Sequence, residues 1–230
     1  MEACMKLSVI ILVYNEKKSL PKLLKYLEPL KYDAEILLVD GGSMDGTTEH
    51  LPDFVRLIKS EKGRAKQLNA GAKAAKGEIL FFLHADSYPP KTFVSDIYRC
   101  IQSAPFGFFG IRFDDESLLM RICAILSNRR AIKNHIVFGD QGMFMTKRFF
   151  IEQGGFPVVP LMEDFIFSLR LKKKGIWGSW TGHVITTSAR RYPEGTRAKL
   201  KTMYGMYKLR RDFLQGTPID EIASRYRDIR

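Results

Sequence analysis

One segment of this 230-residue chain that suits ligand binding consists of Asp40, Gly41 and Gly42. Glycine has no Cβ, so the backbone at Gly41 and Gly42 can approach a ligand closely. The Asp40 carboxylate can accept hydrogen bonds from a base or a ribose. The other interpretation is a turn from a strand into a helix, capped by Asp45 or Thr47. No GxGxxG or GxxxxGK[ST] pattern follows the first predicted strand, which disfavours a dinucleotide site or a P-loop.

His84 and Asp86 lie two positions apart at the end of a predicted strand, so their side chains point the same way. Two such ligands can hold one divalent ion and leave coordination positions for diphosphate oxygens. The other interpretation is a helix N-cap at Asp86 or Ser87. His183 follows another predicted strand, and it is either a further metal ligand or a hydrogen-bonded surface histidine.

Glu163 and Asp164 form a carboxylate pair at the start of a predicted helix. The positive end of the helix dipole favours anions there, which is one sufficient reason for the pair. A proline-containing loop at 157–160 precedes the pair, and large apolar side chains surround it. These surroundings favour a functional site over simple complementarity to the helix dipole.

Alternating strands and helices must position these groups. Continuous apolar runs at 7–14, 35–39, 54–58 and 78–83 predict buried strands, and apolar spacing of 3.6 residues predicts helices after Ser19 and over 62–76. This alternation predicts an α/β fold with a central, mostly parallel sheet and helices on both faces. Ligands of such sheets bind at the carboxyl ends of the strands, where Asp40 and Asp86 both fall.

The second half of the chain is less regular. It predicts strands at 106–113 and 176–180, strand pieces within 136–146, and helices over 117–130 and 162–174. Without a Ser/Gly linker or a repeat, we expect one domain over residues 1–189. A basic helical C-terminal extension over residues 190–230 follows it.

The overall composition, with 45% apolar and 27% charged residues, is typical of a folded globular domain. Three scattered cysteines, Cys4, Cys100 and Cys123, make neither a disulfide framework nor a metal knot, which suits a reducing compartment. The longest apolar runs are too short to cross a bilayer, which needs roughly 20 residues. The N-terminal segment does not resemble a signal peptide, so we expect a cytoplasmic protein.

The formal net charge is +12, and it indicates an anionic partner. Half of it lies in residues 190–230, which carry 11 Lys and Arg against 5 Asp and Glu. No helix-turn-helix, zinc-finger or RNP-like pattern supports a nucleic-acid partner. Residues 196–214 instead predict a basic amphipathic helix, suited to an anionic membrane surface on the inner face of the cell membrane. The alternative is a helix that docks its apolar stripe on the domain. The stripe consists of Leu200, Met203, Tyr204, Tyr207 and Leu214.

Five segments in order resemble the family 2 glycosyltransferases, whose fold is named GT-A. They are SVIILVYNE at 8–16, EILLVDGGSMDGT at 35–47, GRAKQLNAG at 63–71, GEILFFLHAD at 77–86 and MED at 162–164. The resemblance covers roughly residues 7–180. The chain is similar to a compact bacterial subgroup with Leu-His-Ala-Asp in place of the family's Asp-x-Asp, sometimes labelled carotenoid-acid glycosyltransferases.

The resemblance implies a role for each matching residue. Asp164 would be the catalytic base, and Glu163 would position or polarise it. The nucleotide of the donor would contact Tyr14, Glu16, Asp40, Gly42, Arg64, Asn69 and Ala85. Asp86 would be the principal ligand of Mn²⁺ or Mg²⁺, with His84 in place of the motif's first Asp and His183 as the further candidate ligand.

The implied reaction is transfer of one sugar from a nucleotide-diphosphate sugar, usually a UDP-sugar, to an acceptor hydroxyl. A single displacement would invert the anomeric configuration. The Gln-x-x-Arg-Trp motif of processive members is absent at 167–171, which favours single transfer. A lipid or lipid-linked acceptor would fit the basic helix. The alternatives are another nucleotide-sugar enzyme, such as a hydrolase or nucleotidyltransferase, and a catalytically silent nucleotide-sugar-binding protein.

Overall fold

The computed structural model describes residues 6–226, which form one eight-stranded sheet with helices on both faces. The strands are β1 (Leu7–Val13), β2 (Ala34–Asp40), β3 (Val55–Lys59), β4 (Ile79–His84), β5 (Ser87–Tyr88), β6 (Phe106–Phe113), β7 (Phe144–Thr146) and β8 (Ser179–Thr187). Their order in the sheet is β3-β2-β1-β4-β7-β6-β8-β5. Four of the neighbouring pairs are parallel, and β4–β7, β6–β7 and β5–β8 are antiparallel. The sheet is therefore mixed, with its parallel part at the β3–β4 side.

Eight α-helices lie between or after the described strands. They are α1 (Leu20–Leu27), α2 (Arg64–Ala74), α3 (Phe93–Ile101), α4 (Leu118–Asn134), α5 (Lys147–Glu152), α6 (Glu163–Lys173), α7 (Thr196–Leu214) and α8 (Ile219–Ser224). Short 3₁₀ turns occupy Glu28–Leu30 and Gly139–Gln141. Within residues 6–226, no helix combines the length and the apolar composition that a membrane span requires.

The central strand β1 is apolar throughout because both of its faces are covered. Val9 and Ile11 pack with α1 and α3 on one side, and Ile10 packs with α2 on the other. Register places Val13 opposite Asp40 and Leu12 opposite His84. The carboxyl ends of β1, β2 and β4 therefore meet at one edge, as the sequence predicts.

Two parts of the sequence interpretation need correction. Helices α3, α5 and α8 were not predicted, although Phe93, Ile97 and Cys100 follow helical spacing and are buried. The strand predicted at 176–180 begins later and is longer, at Ser179–Thr187, because it pairs along β6 with a register shift at residues 108–110. The sequence near residues 176–180 does not predict that pairing with a distant strand.

Two of the three cysteines lie on helices. Cys100 is buried in α3 and Cys123 is half-buried in α4, while Cys4 lies outside the described residues.

Helix α7 has the predicted bounds, but its apolar stripe does not dock on the domain. Leu200, Tyr204, Tyr207 and Leu214 are exposed. Only Met203 of the predicted stripe turns inward, against the cluster that holds Cys123. The docking alternative is therefore wrong for four of the five stripe residues.

Candidate active site

A pocket of about 200 Å³ lies at the carboxyl edge of the sheet. Its floor consists of the ends of β1 and β4 with the residues that follow them, 12–16 and 84–86. Its wall is the C-terminal segment 188–226, and the start of α6 closes a third side. We use "pocket floor" and "pocket wall" for these two sets of residues.

Gln67 fixes the edge of the sheet beside the floor. Its Nε2 donates to the carbonyl oxygens of Val13, at 2.7 Å, and Val39, at 2.9 Å, which ties together the ends of β1 and β2. Asp40 then orders the loop after β2: its carboxylate accepts from the Ser43 backbone N at 3.0 Å and from the Ser43 hydroxyl at 2.6 Å. Gly42 adopts φ +90° in this loop, a conformation that glycine tolerates best.

Arg190 connects the floor to the wall through two charge-assisted hydrogen bonds and an ion pair. Its guanidinium donates to both carboxylate oxygens of Glu16, at 2.6 and 2.9 Å, and its Nε lies 2.9 Å from an oxygen of Asp86. Both carboxylates are largely buried. Burial raises the pKa of Asp86, and Arg190 opposes that rise. This cluster places a cation on the carboxylate that was predicted to bind metal.

Arg64 connects the floor to α6. Its Nε donates to Glu163 at 2.6 Å, and its Nη2 lies 3.1 Å from His84 Nε2. Burial, with Arg64 beside the ring, holds the pKa of His84 well below its usual range. His84 is therefore neutral at pH 7 and accepts a hydrogen bond from Arg64.

Asp164 is held by two backbone groups. One carboxylate oxygen accepts from Gly139 N at 2.6 Å and the other from Phe165 N at 2.6 Å. A Cβ on Gly139 would lie 3.1 Å from both Arg64 Nη2 and His84 Nε2, and 3.2 Å from Asp164 Oδ2. The three groups therefore converge on one point at the centre of the site. Met162 precedes α6 with φ 63°, a strained conformation that sets the direction of the pair.

Asp140 also lines the pocket, although the sequence interpretation gave it no role. Its Oδ1 is buried and has no hydrogen-bond partner among residues 6–226. Burial raises the pKa of Asp140, and the positive charge of Arg130 is the largest effect that lowers it. Burial in turn lowers the pKa of Arg130 to about 10. The signal in the sequence was the Gly-Asp-Gln-Gly motif at 139–142.

Most of the predicted site residues meet in this pocket. Its lining includes Tyr14, Glu16, Arg64, His84, Ala85, Asp86, Glu163 and Asp164. Asp40 and Gly42 lie in the adjoining loop, outside the lining. Their predicted role in nucleotide binding stays a prediction.

Two predicted residues lie elsewhere. Asn69 binds the backbone of Phe156, donating to its O at 2.8 Å and accepting from its N at 3.0 Å. His183 lies 2.7 Å from Asp96 of α3 through Nδ1 and does not line the pocket. The prediction that His183 joins Asp86 on a metal is therefore corrected to the surface interpretation. Within residues 6–226, no group of three His, Cys, Asp or Glu side chains is arranged to hold a metal ion.

The pocket wall was not predicted as part of the site. Arg191, Tyr192 and Arg210 line the pocket together with Arg190. The concentrated positive charge after residue 189 was the signal that could have found them. The predicted boundary at 189/190 stays a prediction, and it runs through this pocket.

Comparison with known proteins agrees with this architecture. Residues 8–155 match the family model described as glycosyl transferase family 2. A mannosyltransferase from Pyrobaculum calidifontis in complex with GDP-Man and Mn²⁺ has a similar fold, with a TM-score of 0.63 and 20% identity over 91% of this chain and 61% of that one. Glucosyl-3-phosphoglycerate synthase from Mycobacterium tuberculosis, in complex with Mn²⁺, UDP-glucose and phosphoglyceric acid, has a TM-score of 0.62 at 14% identity, over 93% of this chain and 81% of that one.

The chain therefore belongs to glycosyl transferase family 2 and has a mixed α/β fold that matches GT-A glycosyltransferase structures. Curated relatives include two undecaprenyl-phosphate 4-deoxy-4-formamido-L-arabinose transferases. The one from Aeromonas hydrophila is 33% identical over 114 residues, 44% of this chain and 34% of that protein. The one from Pseudomonas fluorescens is 35% identical over 114 residues, 44% of this chain and 33% of that protein. The match thus spans about a third of the length of these relatives.

Proposed function

We propose that this protein is an inverting transferase that moves one sugar from a nucleotide-diphosphate sugar, a UDP-sugar in the first instance, to an acceptor hydroxyl. The observation that carries the proposal is the convergence of Asp164, Arg64 and His84 on one point of the pocket beside Asp86. A base, a fixed guanidinium and a second carboxylate are the groups such a displacement requires.

Asp164 is the proposed base. Each carboxylate oxygen has two acceptor lone pairs, and the two backbone N–H groups occupy one on each oxygen. The carboxylate therefore keeps the capacity to accept the proton of a hydroxyl that lies in the pocket. Fixing its direction through Gly139 and α6 pre-organises that transfer.

Glu163 is the proposed positioning residue. It is 1% exposed and holds the Nε of Arg64, while the Nη2 of the same guanidinium turns to His84. Glu163 therefore sets where the Arg64 charge lies relative to Asp164. A guanidinium fixed in this way suits a developing phosphate charge.

Asp86 fits a divalent ion that is shared with the donor. Magnesium-type sites use one or two carboxylates and complete their coordination with substrate phosphates and water, so a site with one protein carboxylate is chemically sufficient. That Asp86 already pairs with the Arg190 cation supports it as a cation site. His84 is the weaker candidate because its Nε2 accepts from Arg64. When bound, Mn²⁺ or Mg²⁺ neutralises the charge of the diphosphate leaving group.

The residues of the chain then act in sequence. Arg190 binds the donor phosphates at the floor, where Asp86 would hold the divalent ion. Arg64 fixes the side of the sugar nearest α6. Asp164 accepts the proton of the acceptor hydroxyl as its oxygen attacks the anomeric carbon from the side opposite the diphosphate. One displacement inverts the configuration at that carbon.

We further propose a lipid or lipid-linked acceptor, because the curated relatives are named for transfer to undecaprenyl phosphate. The group of this acceptor that receives the sugar is either a hydroxyl or a phosphate, and the observation that favours the phosphate is the pair Arg191 and Arg210 on the pocket wall. A phosphate oxygen is already anionic at pH 7, so it would not need Asp164 as a base. The two acceptors are therefore separable by one substitution at Asp164.

A donor panel tests the proposal. UDP-, GDP- and dTDP-sugars are compared by thermal shift with Mn²⁺, with Mg²⁺ and with EDTA. We expect one nucleotide to raise Tm by an amount that depends on metal, since a ligand at 100 times its Kd stabilises by about 2.7 kcal/mol. Asp86→Asn should lose the metal-dependent part, whereas Asp53→Asn, an exposed control, should keep it.

Three results would overturn the assignment. Stabilisation without any release of nucleotide, in water or with acceptor, would identify a silent binding protein. Release of sugar phosphate would identify a hydrolase of another class. No stabilisation by any donor would contradict the proposed nucleotide-sugar site.

A further inference from the structure

Helix α4 exposes a face that the proposed active site does not explain. Four large aliphatic side chains lie on it at positions i, i+4, i+7 and i+8, which is one side of a helix. They are Leu118, Ile122, Ile125 and Leu126, and they are between 43% and 74% exposed. Residues Met120, Ala124 and Ala131 on the opposite side are buried against the domain. The stripe therefore faces away from the core.

The remaining exposed positions on this face of α4 are cationic. Arg121, Arg129 and Lys133 are exposed between or beyond the aliphatic residues, and the helix contains no Asp or Glu. Two acidic residues, Asp115 and Glu116, lie just before the helix begins. The Glu116 carboxylate is 4.0 Å from Arg121.

Helix α7 repeats the same pattern. Its exposed apolar residues, Leu200, Tyr204, Tyr207 and Leu214, alternate with exposed cations. The cations are Arg197, Lys201, Lys208 and Arg211. Its single acidic residue, Asp212, is buried and bonded to Arg225.

The two helices are neighbours. Lys199 of α7 donates to Asp115 and Ser117 at the start of α4. Farther along, Met203 packs in the cluster that contains Cys123. We call the exposed faces of α4 and α7 together the basic apolar surface. Between them the two helices carry ten Lys and Arg and one Asp.

We propose that the basic apolar surface binds an anionic lipid bilayer, with the aliphatic and tyrosine side chains inserted at the headgroup boundary and the cations paired with lipid phosphates. Apolar residues flanked by Lys and Arg are the composition that interfacial helices require. Charge complementarity selects the occupant, because a second copy of the chain would bring a like-charged surface against this one. A bilayer that contains anionic lipid supplies both the apolar layer and the opposite charge.

This inference deepens the proposed function by naming where the acceptor resides. The inward side of α7 lines the pocket through Met206, Leu209 and Arg210, while its outward side carries the basic apolar surface. One helix, about 10 Å across, therefore separates the pocket from the bilayer. A lipid headgroup could reach Asp164 around α7 without the lipid leaving the membrane.

Vesicle flotation with the full chain tests the inference without donor, acceptor or turnover. A negative flotation result would therefore count against the membrane inference and not against the proposed reaction. Vesicles of phosphatidylcholine with 30% phosphatidylglycerol, roughly the charge of an anionic leaflet, are compared with pure phosphatidylcholine. We expect binding to the anionic vesicles, and a strong loss in 1 M salt, where the Debye length is about 3 Å.

Two variants separate the parts of the surface. Ile122→Gln with Ile125→Gln and Leu126→Gln should lower the partition coefficient by at least roughly tenfold. Arg121→Gln with Arg129→Gln should lower it by roughly 25-fold, at about fivefold for each cation. The matched control changes exposed apolar residues that lie outside the basic apolar surface, and it should bind vesicles as the parent does. It combines Tyr32→Gln, Ile151→Gln and Val158→Gln.

Thermal unfolding of every variant confirms that it is folded, which is expected because all the changed residues are exposed. Equal flotation of the aliphatic variant and its control would overturn the inference, as would equal binding to neutral and anionic vesicles. A lipid-free dimer that the aliphatic variant converts to a monomer would also overturn it, by assigning the surface to a second copy of the chain.

Discussion

Strand pairing holds the pocket floor, whereas ion pairs and apolar side-chain packing attach the pocket wall. The strands beneath the floor are parallel, buried on both faces and joined at their ends by Gln67. The wall contacts this frame through Arg190, which binds Glu16 and Asp86, and contacts the start of α4 through Lys199 and Asp115. Its residues Phe213 and Ile222 also pack against Phe165 of α6.

This difference separates what is fixed from what can respond. Strand pairing involves no charged groups, whereas part of the attachment of the wall depends on charged side chains. Ligand phosphates or a divalent ion can also compete for the same charged groups. The floor therefore presents a constant site to the donor, and the wall can adjust to ligands.

The largest expected effect comes from Asp164→Asn, which should leave both the floor and the wall intact. Positioned general-base catalysis contributes roughly 10²–10⁴-fold, so transfer to a hydroxyl should fall by that factor. The dissociation constant of the donor should stay unchanged, because the floor is intact. The assay is nucleotide release with water or an alcohol as acceptor, beside undecaprenyl phosphate in vesicles.

Asp53→Asn is the matched control for this substitution, because Asp53 is exposed. Full activity of Asp164→Asn with hydroxyl acceptors would refute Asp164 as the base. Loss with hydroxyls but retention with the phosphate would assign the natural acceptor to the phosphate class.

Arg190→Gln should remove the ion pairs between the wall and the floor. It leaves Glu16 and Asp86 as neighbouring buried carboxylates, and removing one partner of a buried ion pair costs about 3–5 kcal/mol of unfolding free energy. Mn²⁺ should restore more stability to this variant than it adds to the parent, since it supplies the missing positive charge. Chemical denaturation with and without Mn²⁺ measures both effects.

The control is Arg148→Gln, which breaks an exposed pair with Glu152 and should cost about 0–1 kcal/mol. If Arg190→Gln were as stable as this control, the wall would not depend on the Arg190 cluster.

Glu163→Gln should have a smaller effect, because the amide can still accept from Arg64. A hydrogen bond to a charged group contributes about 1.5–3 kcal/mol, and part of that is lost with the charge. We expect a fall in kcat with the dissociation constant of the donor nearly unchanged, since Arg64 loses its fixed direction. An unchanged kcat would contradict the positioning role of Glu163. The control is Glu152→Gln, which changes an exposed glutamate.

His84→Gln should remove one pH dependence of stability. The folded state lowers the pKa of His84 far below the 6.5 of the unfolded chain. As pH falls below 6.5, His84 therefore binds a proton in the unfolded state but not in the folded state. The free energy of unfolding of the parent then falls by up to about 1.4 kcal/mol per pH unit. Denaturation at pH 8, 6 and 5 compares the two slopes. Identical slopes would show that His84 is not buried as a neutral ring.

Some of this molecule is predictable from local sequence. The bounds of β6 and α7 agree with the predictions because apolar runs and helical periodicity are local signals. The position of Asp86 at the sheet edge also followed from the shared carboxyl ends of parallel strands, whereas Glu16 and Arg64 were assigned to the site by the family resemblance.

The rest depends on contacts between distant residues. Arg190 lies 174 residues from the Glu16 carboxylate it binds, and no local pattern joins them. The amphipathic pattern of α4 predicts a helix, yet its apolar residues Leu118, Ile122, Ile125 and Leu126 face outward, and periodicity cannot tell which face meets the core. His183 was misread for the same reason, because its partner Asp96 is on a helix that was not predicted.

The configuration of the first sugar released tests the central claim most directly. With a UDP-α-sugar as donor and water as acceptor, proton NMR follows the anomeric signal before mutarotation mixes the anomers. A single displacement assisted by Asp164 predicts that the β-anomer appears first, at a rate that Asp164→Asn reduces by roughly 10²–10⁴-fold. First appearance of the α-anomer, or release that is unaffected by Asp164→Asn, would contradict it.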